Sequence, residues 1–254
     1  MAKLIFLGTA SAVAFEGHEN TYLVIQGEQS SILVDCASNP ILRLRKAGID
    51  FEDLSDLIIT HFHADHVSGL PNLLMDMWLL GRKNEFRIYG SQHTISRAEK
   101  MLALFDLGDW QNMYPVSFHI LPEEELTLVL ENQDFRIQSS PGDHLIPTIG
   151  LRIESIKDQF CVAYSSDTNP HLNIVNLAAG ADVLIHEAGG SYEGHSTPAQ
   201  AGEIASRAQV GKLYLIHYSI YGDKTAESIT AEAKKTFPGK VILAEDFMEI
   251  NFVK

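Results

Sequence analysis

Short apolar runs recur along the whole chain, and Gly, Pro, Asn or Asp bounds most of them. Runs rich in Val, Ile, Leu and Phe with such boundaries predict β-strands. We predict strands at residues 3–7, 22–25, 31–34, 56–60, 86–89, 116–121, 126–130, 135–139, 148–156, 160–165, 183–186, 212–217, 241–244 and 247–252.

Helical periodicity separates several of these runs. The predicted helices span residues 40–47, 68–80, 93–105, 173–179, 198–208 and 225–236. Thr197 and Pro198 supply a capping hydroxyl and then a proline at the first helical position. Hairpin-like strands followed by strand–helix alternation in each half predict an α/β (α+β) fold. No linker or low-complexity stretch interrupts the order, which predicts a single domain over residues 1–254.

A weak internal echo links residues 56–61 with residues 182–186. Each segment is an apolar strand that begins with Asp and delivers a histidine at its carboxyl end, His61 in the first and His186 in the second. The echo predicts two similar halves that present residues at the same sheet edge, where α/β proteins place their sites.

Composition narrows the class of protein. The 254 residues carry 19 Lys+Arg against 33 Asp+Glu, for a formal net charge of −14. A generic nucleic-acid-binding protein presents a basic patch, so this balance argues against that class. A nuclease remains compatible with it, because bound divalent cations would correct the charge locally.

Cysteine usage and hydropathy indicate the compartment. Cys36 and Cys161 lie in separate apolar runs, which predicts two buried free thiols in a reducing cytosol. No run approaches the ~18 apolar residues of a membrane-spanning helix. We therefore expect a cytoplasmic protein without a membrane partner.

The densest group of metal-capable residues lies just after the predicted strand 56–60. Three histidines and one aspartate fall within six residues, at His61, His63, Asp65 and His66. A turn at this point can direct the first two side chains to one side and the last two to another. Neutral imidazole and carboxylate are suitable ligands for Zn²⁺, Mn²⁺ or Fe²⁺. The segment therefore predicts a metal site.

This segment resembles the signature His-x-His-x-Asp-His of the metallo-β-lactamase superfamily, and the resemblance extends over nearly the whole chain. Residues 7–9 and 33–35 are similar to the opening of the superfamily. Further residues in matching contexts resemble its third metal histidine, its bridging aspartate, its last histidine and two motifs of the ribonuclease Z branch; they are His144, Asp167, His217, residues 186–188 and residues 194–197.

The resemblance implies a four-layer αβ/βα sandwich of two mixed β-sheets with a site along one edge. It also implies two divalent metal ions, taken as Zn²⁺, although Mn²⁺ and Fe²⁺ suit the same ligands. The implied ligands are His61, His63 and His144 for one ion, Asp65, His66 and His217 for the other, and Asp167 as the bridge. Such a pair lowers the pKa of bound water towards ~7, so that a metal-bound hydroxide is the nucleophile. Asp65 can accept the proton of that water.

Glu187 and His195 are the candidates for acid catalysis. Glu187 ends a predicted buried strand, and His195 lies in a Gly-rich segment. A carboxylate paired with the imidazole would keep His195 protonated, so that it can protonate a leaving alkoxide. A poor leaving group, such as a ribose hydroxyl, is the kind that needs this help. The alternative is a structural salt bridge.

Departures from the ribonuclease Z pattern shape the expected substrate. Enzymes of that branch that process transfer RNA carry a long arm between the third histidine and the bridging aspartate. Here His144 and Asp167 are 23 residues apart, which leaves room only for a hairpin over residues 150–165. We therefore predict a phosphodiesterase that acts on a small or flexible substrate, and we do not expect structured transfer RNA to bind.

Two alternatives remain open from the sequence. The chain could be a lactonase or another ester hydrolase of the same superfamily, or a metal-binding scaffold without catalysis. The branch resemblance also implies a homodimer. The predicted helix 68–80 carries an apolar set that is wide for one face, and its excess could form a two-fold contact; the set is Leu70, Leu73, Leu74, Met77, Trp78 and Leu80. Burial of this helix within the monomer is the alternative.

Overall fold

The computed structural model describes residues 1–221 and 224–253. Within them, fourteen strands form two sheets of seven strands each. The strands are β1 (Lys3–Gly8), β2 (Tyr22–Gln26), β3 (Ser31–Val34), β4 (Leu54–Ile58), β5 (Phe86–Ser91), β6 (Val116–Leu121), β7 (Thr127–Glu131), β8 (Phe135–Pro141), β9 (Ile149–Ser155), β10 (Cys161–Tyr164), β11 (Val183–Glu187), β12 (Lys212–Ile216), β13 (Lys240–Leu243) and β14 (Glu249–Asn251).

Seven α-helices occur among the same residues. They are α1 (Pro40–Lys46), α2 (Ala64–Val67), α3 (Leu70–Leu79), α4 (Gln92–Ala103), α5 (Leu172–Leu177), α6 (Pro198–Arg207) and α7 (Ala226–Ala233). Short 3₁₀ turns at Phe51–Asp53 and Leu107–Asp109 precede β4 and β6. No described helix is long and apolar enough to cross a membrane.

The two sheets share one pattern of strand directions. The first sheet has the order β14-β1-β2-β3-β4-β5-β6, and the second has the order β7-β8-β9-β10-β11-β12-β13. In each, the first three pairings are antiparallel and the last three are parallel. Strands β4 and β11, which carry the sequence echo, occupy the same place in their sheets.

Alternation along the strands builds four layers. In β1, Leu4 and Phe6 enter a cluster shared by both sheets, whereas Ile5 and Leu7 enter a cluster with α1, α3 and α4. A third cluster joins the outer face of the second sheet to α5, α6 and α7. Because both faces of each sheet are covered, the strands read as continuous apolar runs. The predicted αβ/βα sandwich of two mixed sheets is confirmed.

Each predicted strand and helix has a counterpart, with shifts at the ends. The strand predicted at 56–60 begins two residues earlier, at Leu54, and ends at Ile58. The helix predicted at 68–80 begins at Leu70, and the short helix α2 before it was not predicted. The helix after Thr197 is α6, whose capping box is formed by Thr197 and Gln200.

The interval between His144 and Asp167 holds only the hairpin β9–β10. Its strands pair from Leu151 with Tyr164 to Glu154 with Cys161. The predicted hairpin is therefore present, and the described chain carries no protruding arm in this interval.

Candidate metal centre

The short helix α2 separates the residues of the motif. His63 lies at its N-terminal boundary with extended backbone, and Asp65 and His66 fall within its single turn. His61 precedes it, at the end of the segment that continues β4. The turn therefore directs His61 and His63 to one position, and Asp65 and His66 to the neighbouring one.

The first position, here called the histidine cluster, consists of His61, His63 and His144. His63 Nδ1 lies 3.1 Å from His61 Nε2 and 3.0 Å from His144 Nε2. His61 is buried, whereas the other two are partly exposed. Three imidazole nitrogens thus face a common point.

The second position, here called the carboxylate cluster, consists of Asp65, His66, Asp167 and His217. Asp167 Oδ2 lies 3.5 Å from His66 Nε2 and 3.3 Å from His217 Nε2. The same oxygen is 3.8 Å from His61 Nε2 in the histidine cluster. Asp167 therefore faces both clusters, as a bridging carboxylate would.

The separations of the donor atoms suit metal coordination. Ligand atoms ~2.0–2.1 Å from a tetrahedral ion lie about 3.3 Å from one another. Two atoms of the carboxylate cluster are also buried without a hydrogen-bond partner among the described residues, namely His66 Nε2 and Asp167 Oδ1. Buried polar atoms are normally satisfied, so these atoms fit a missing ligand better than a packed core.

Acceptors outside the clusters orient three of the imidazoles. His66 Nδ1 is 2.8 Å from an Asp35 carboxylate oxygen, and His144 Nδ1 is 2.6 Å from the Gly194 carbonyl. The Thr60 hydroxyl donates to Asp35, so His61 Nδ1, 3.1 Å away, must donate to Thr60. With their Nδ1 protons taken in this way, these three rings present an Nε2 lone pair to the clusters.

Positive φ angles turn the chain towards the site at three strand ends. Asp35 follows β3 with φ of 62°, Ser166 follows β10 with φ of 55°, and His217 follows β12 with φ of 53°. Non-glycine residues seldom adopt this left-handed region, and they do so mainly where function over-determines the backbone.

The pKa values of the three histidines in the histidine cluster shift in the opposite direction to the pKa of His66 in the carboxylate cluster. Burial is the main cause that lowers the pKa of His61, His63 and His144. Burial also acts to lower the pKa of His66, but the charges of Asp167 and Asp35 outweigh it and raise that pKa well above its usual value. Without a metal, the carboxylate cluster thus holds a proton on His66.

Glu187 and His195 form the predicted pair beside the clusters. His195 Nδ1 lies 3.2 Å from Glu187 Oε1, and the ring stacks on that of His217 at 5.4 Å between centroids. The Glu187 carboxylate also accepts hydrogen bonds from the backbone N–H groups of Gly189 and Ser196. Burial opposes protonation of His195, but the bond to Glu187 and its charge raise the pKa above the usual value.

A cleft of about 410 Å³ includes His195 and His217 in its lining. Its rim carries Leu145, Tyr192 and Tyr221, of which the tyrosines are 70% and 50% exposed. The volume is within the ~300–1,000 Å³ range of small-molecule sites. A larger cavity of about 620 Å³ beside Arg43 and Phe247 contains none of the cluster residues.

Two features singled out in the sequence have other roles in the structure. His186, the second histidine of the echo, joins none of the described metal-capable groups, and its Nδ1 faces the Glu187 carbonyl. On α3, Leu70, Leu73, Leu74 and Met77 are buried in the monomer, since this face of the helix covers the first sheet. These four residues cannot form the two-fold contact that was expected of them.

Sequence reasoning also missed several supporting groups. Nothing in the sequence marked Thr60 or the Gly194 carbonyl as partners of metal-facing histidines. Nor did it mark His18, which lies in a partly buried network with Thr9 and Tyr218. Asp35, which belongs to the segment 33–35 that resembles the opening of the superfamily, orients His66 through its carboxylate.

Comparison with known proteins places this arrangement in a family context. The family described as "Anti-Pycsar protein Apyc1" matches residues 2–238. A ribonuclease Z from Mycobacterium sp. (strain KMS) is 30% identical over 280 aligned positions, which cover 99% of this chain and 96% of the relative. The alignment of 280 positions is longer than this chain of 254 residues, so some residues of the Mycobacterium protein have no counterpart here.

Solved structures share the fold. The metallo-β-lactamase fold protein YhfI from Bacillus subtilis superposes with a TM-score of 0.84 at 22% identity and covers 98% of both chains. The short form of human tRNase Z gives a TM-score of 0.78 at 24% identity, again over 98% of both chains. At these identities the likeness establishes the fold.

Proposed function

The chain belongs to the family described as anti-Pycsar protein Apyc1 and is a metal-dependent hydrolase of the ribonuclease Z-like, metallo-β-lactamase fold group, and from this we propose that it is a dinuclear zinc phosphodiesterase acting on a small or flexible substrate. The observation that carries the proposal is the position of Asp167 Oδ2, which faces the histidine cluster and the carboxylate cluster together. Two ions that share one carboxylate are the arrangement suited to clamping both oxygens of a displacement.

We propose the ligand sets that the geometry favours. His61, His63 and His144 would hold one ion, Asp65, His66 and His217 would hold the other, and Asp167 would bridge them. When bound, the ions would supply Lewis acidity and lower the pKa of a water to ~7. Zinc suits this nitrogen-rich set, and Mn²⁺ or Fe²⁺ would be accepted by the same donors.

Two residues of the chain are placed to carry out the two proton transfers. Asp65 Oδ2 lies 3.4 Å from His217 Nε2 and 3.5 Å from His66 Nε2, so it borders the reaction centre and can accept a proton from the attacking water. His195, held by Glu187, can donate a proton to the leaving oxygen. A raised pKa keeps His195 charged nearer to neutral pH, as a general acid requires.

Three observations support a small or flexible substrate. The cleft beside His195 has about 410 Å³, and its tyrosine-containing rim can cover one planar group. The hairpin β9–β10 occupies the interval between His144 and Asp167, where enzymes that process transfer RNA carry a long arm. The net charge of −14 would repel a large polyanion outside the site. The names of the relatives, ribonuclease Z and tRNase Z, favour an RNA phosphodiester, so structured transfer RNA must be tested directly.

A substrate panel on zinc-reconstituted protein tests the proposal. It would contain bis(p-nitrophenyl) phosphate, small cyclic and linear nucleotide diesters, a short single-stranded RNA, a folded precursor transfer RNA, a lactone, a thioester and an aryl sulfate. We expect turnover of the small diesters and the short RNA that EDTA abolishes, with little cleavage of the folded RNA. Faster lactone than diester turnover would move the protein to the alternative activity. Two bound metals without any turnover would indicate a scaffold.

Further proposals concern the chain as a whole. We propose one domain over residues 1–254, because side chains of both sheets share one core cluster. A reducing compartment such as the cytoplasm suits the two buried cysteines, which are free thiols.

We also propose a homodimer, through apolar surface that the monomer leaves exposed. Leu42, Leu79 and Leu80 line one groove, and the first two are 64% and 66% exposed. Light scattering at micromolar concentration should give twice the 28.2 kDa chain mass. A monomer mass would exclude the dimer.

A further inference from the structure

Asp246 is a buried carboxylate that lies outside both clusters and joins three distant segments. Its Oδ1 accepts a hydrogen bond from the Thr9 hydroxyl at 2.7 Å. Its Oδ2 accepts one from the Glu19 backbone N–H at 2.9 Å and also pairs with Arg43 of α1. Because only 3% of its side chain is exposed, the carboxylate accepts its hydrogen bonds mainly from these groups.

Thr9 connects this carboxylate to the metal centre. It follows β1, and its carbonyl accepts the backbone N–H of His217 at 2.9 Å. The next residues repeat the contact, because the Ser11 N–H donates to the Tyr218 carbonyl at 3.0 Å. These two hydrogen bonds therefore fix the left-handed backbone of His217 relative to the residues that follow β1.

The ring orientation of His217 depends on these backbone hydrogen bonds more than the rings of His61, His66 and His144 depend on theirs. The rings of His61, His66 and His144 each donate from Nδ1 to a fixed acceptor. His217 Nδ1 is buried and has no hydrogen-bond partner among the described residues. Its ring must therefore be oriented by its backbone and by stacking against His195.

His18 completes the network from its other side. The Thr9 hydroxyl gives its proton to Asp246, and the Tyr218 hydroxyl gives its proton to the Ala244 carbonyl. His18 Nδ1 lies 2.8 Å from the first hydroxyl and 3.2 Å from the second. Since both oxygens have donated, Nδ1 must carry the proton that bonds them. The hydrogen-bond directions are thus determined throughout.

We propose that Asp246 is a positioning residue which, through Thr9, orients His217 and so sets the metal affinity of the carboxylate cluster without affecting the histidine cluster. This inference rests on the proposed function, because it requires the two clusters to bind metal. Thr9, His18, Arg43 and Asp246 are here called the Asp246 network. Partners that orient a ligand typically contribute 10- to 100-fold to metal affinity.

The test is a Co²⁺ titration of the metal-free, full-length protein, followed by visible absorption. Asp246→Asn keeps the size of the side chain but places an NH₂ donor where an oxygen now accepts. His217→Ala and His63→Ala give the reference titrations for damage to each cluster. Asp56→Asn is the matched control, because Asp56 is equally buried and pairs with an arginine, Arg87, away from both clusters.

We expect Asp246→Asn to weaken one of the two Co²⁺ equivalents by about 10-fold and to alter the same absorption bands as His217→Ala. Asp56→Asn should titrate like the wild type even if its melting temperature falls. Thr9→Val, which removes only the hydroxyl, should show the same change more mildly, and it carries the test if Asp246→Asn does not fold.

Three outcomes would overturn the proposal in different ways. If the wild type binds two Co²⁺ and both network variants titrate like it, the Asp246 network is structural only. If the wild type binds fewer than two Co²⁺, the dinuclear site itself is wrong, and the role of Asp246 fails with it. A change that matches His63→Ala instead would assign the network to the other cluster.

Discussion

The histidine cluster and the carboxylate cluster lie side by side but differ in charge and in the state of their imidazoles. A divalent ion in the carboxylate cluster would meet two carboxylates, Asp65 and Asp167, whereas an ion in the histidine cluster would meet one only by sharing Asp167. In the carboxylate cluster, the raised pKa of His66 means that a metal must displace its proton, whereas the lowered pKa values of the histidine cluster favour neutral imidazoles. Binding of the two ions together therefore depends on Asp167 more than on any single histidine.

The largest expected effect is the loss of that shared carboxylate. Asp167→Ala should remove both ions and reduce turnover of bis(p-nitrophenyl) phosphate to background, because both positions lose charge neutralisation. His63→Ala, which touches only the histidine cluster, should retain about one ion per chain while also losing activity. Elemental analysis after gel filtration measures the difference. Full metal content and activity in both variants would refute the assignment of the site.

Replacement of His195, which lies against both clusters, should affect turnover while leaving the ions in place. His195→Ala should slow an alkyl phosphodiester by ~10²–10⁴-fold, because general acid catalysis matters most for a strongly basic leaving group. A p-nitrophenyl ester should lose far less. Glu187→Gln should show the same order more mildly, and His119→Ala, at an exposed histidine of β6, is the matched control.

The two leaving groups make this comparison decisive. Equal losses on both esters would assign His195 to binding or structure. Loss of metal in His195→Ala would place His195 among the ligands. This is a real alternative, because His144, Asp167 and His195 also lie close enough together to hold an ion.

A smaller effect is expected from the partner of His66. Asp35→Asn preserves shape and tolerates the left-handed backbone at this position. It removes the charge that His66 Nδ1 faces, so metal affinity of the carboxylate cluster should fall by ~10- to 100-fold. Isothermal titration with Zn²⁺ on the metal-free protein would measure it. A loss confined to the histidine cluster would contradict the assignment.

The smallest expected effect is a difference in pH dependence. The folded pKa of His66 is raised, so metal must displace a proton, and the affinity of the carboxylate cluster should rise ~tenfold per pH unit between about 6.5 and that raised pKa. The histidine cluster, whose pKa values are lowered, should bind with nearly constant affinity above pH ~6.5. Co²⁺ titrations at pH 6.5 and 7.5 would separate the two slopes, and equal slopes would contradict the difference between the clusters.

The stability of the metal-free protein follows the same signs. His66 contributes stability that is present below its unfolded pKa of ~6.5 and is lost as pH rises through its raised folded value. The lowered pKa values of the histidine cluster act in reverse and cost stability as pH falls below ~6.5. As the pH falls from 8 to 5 without metal, the melting temperature of His66→Gln should therefore fall relative to the wild type, whereas that of His61→Gln should rise relative to it.

Within both clusters, the residues of the motif and the later residues differ in how far the sequence alone predicts them. His61, His63, Asp65 and His66 are adjacent in sequence, so one turn after one strand suffices to make them a site. His144, Asp167 and His217 follow β8, β10 and β12, and only the order of strands in the second sheet brings them together. No spacing rule reveals that order, and the family resemblance was needed to select these residues.

Other features lay beyond prediction for physical reasons. Every residue carries a carbonyl, so the acceptor role of Gly194 depends on a loop conformation that no residue type specifies. The apolar residues of α3 suggested surplus surface, but a helix that covers a sheet needs a wide face. His186 is the last but one residue of β11, and alternation along the strand turns its side chain away from the site while the next residue, Glu187, contacts His195.

The pairing of β14 with β1 has a consequence for biosynthesis. It joins residues 3–5 to residues 249–251, so the first sheet gains this edge strand only after residue 251 has left the ribosome. Until then, the backbone of β1 remains an open edge that can pair with other chains. The second sheet, β7 to β13, contains only later segments and no strand from the amino-terminal half. Nascent chains should therefore need protection from aggregation for most of their synthesis, and the final folding step should be slow because of its long-range closure.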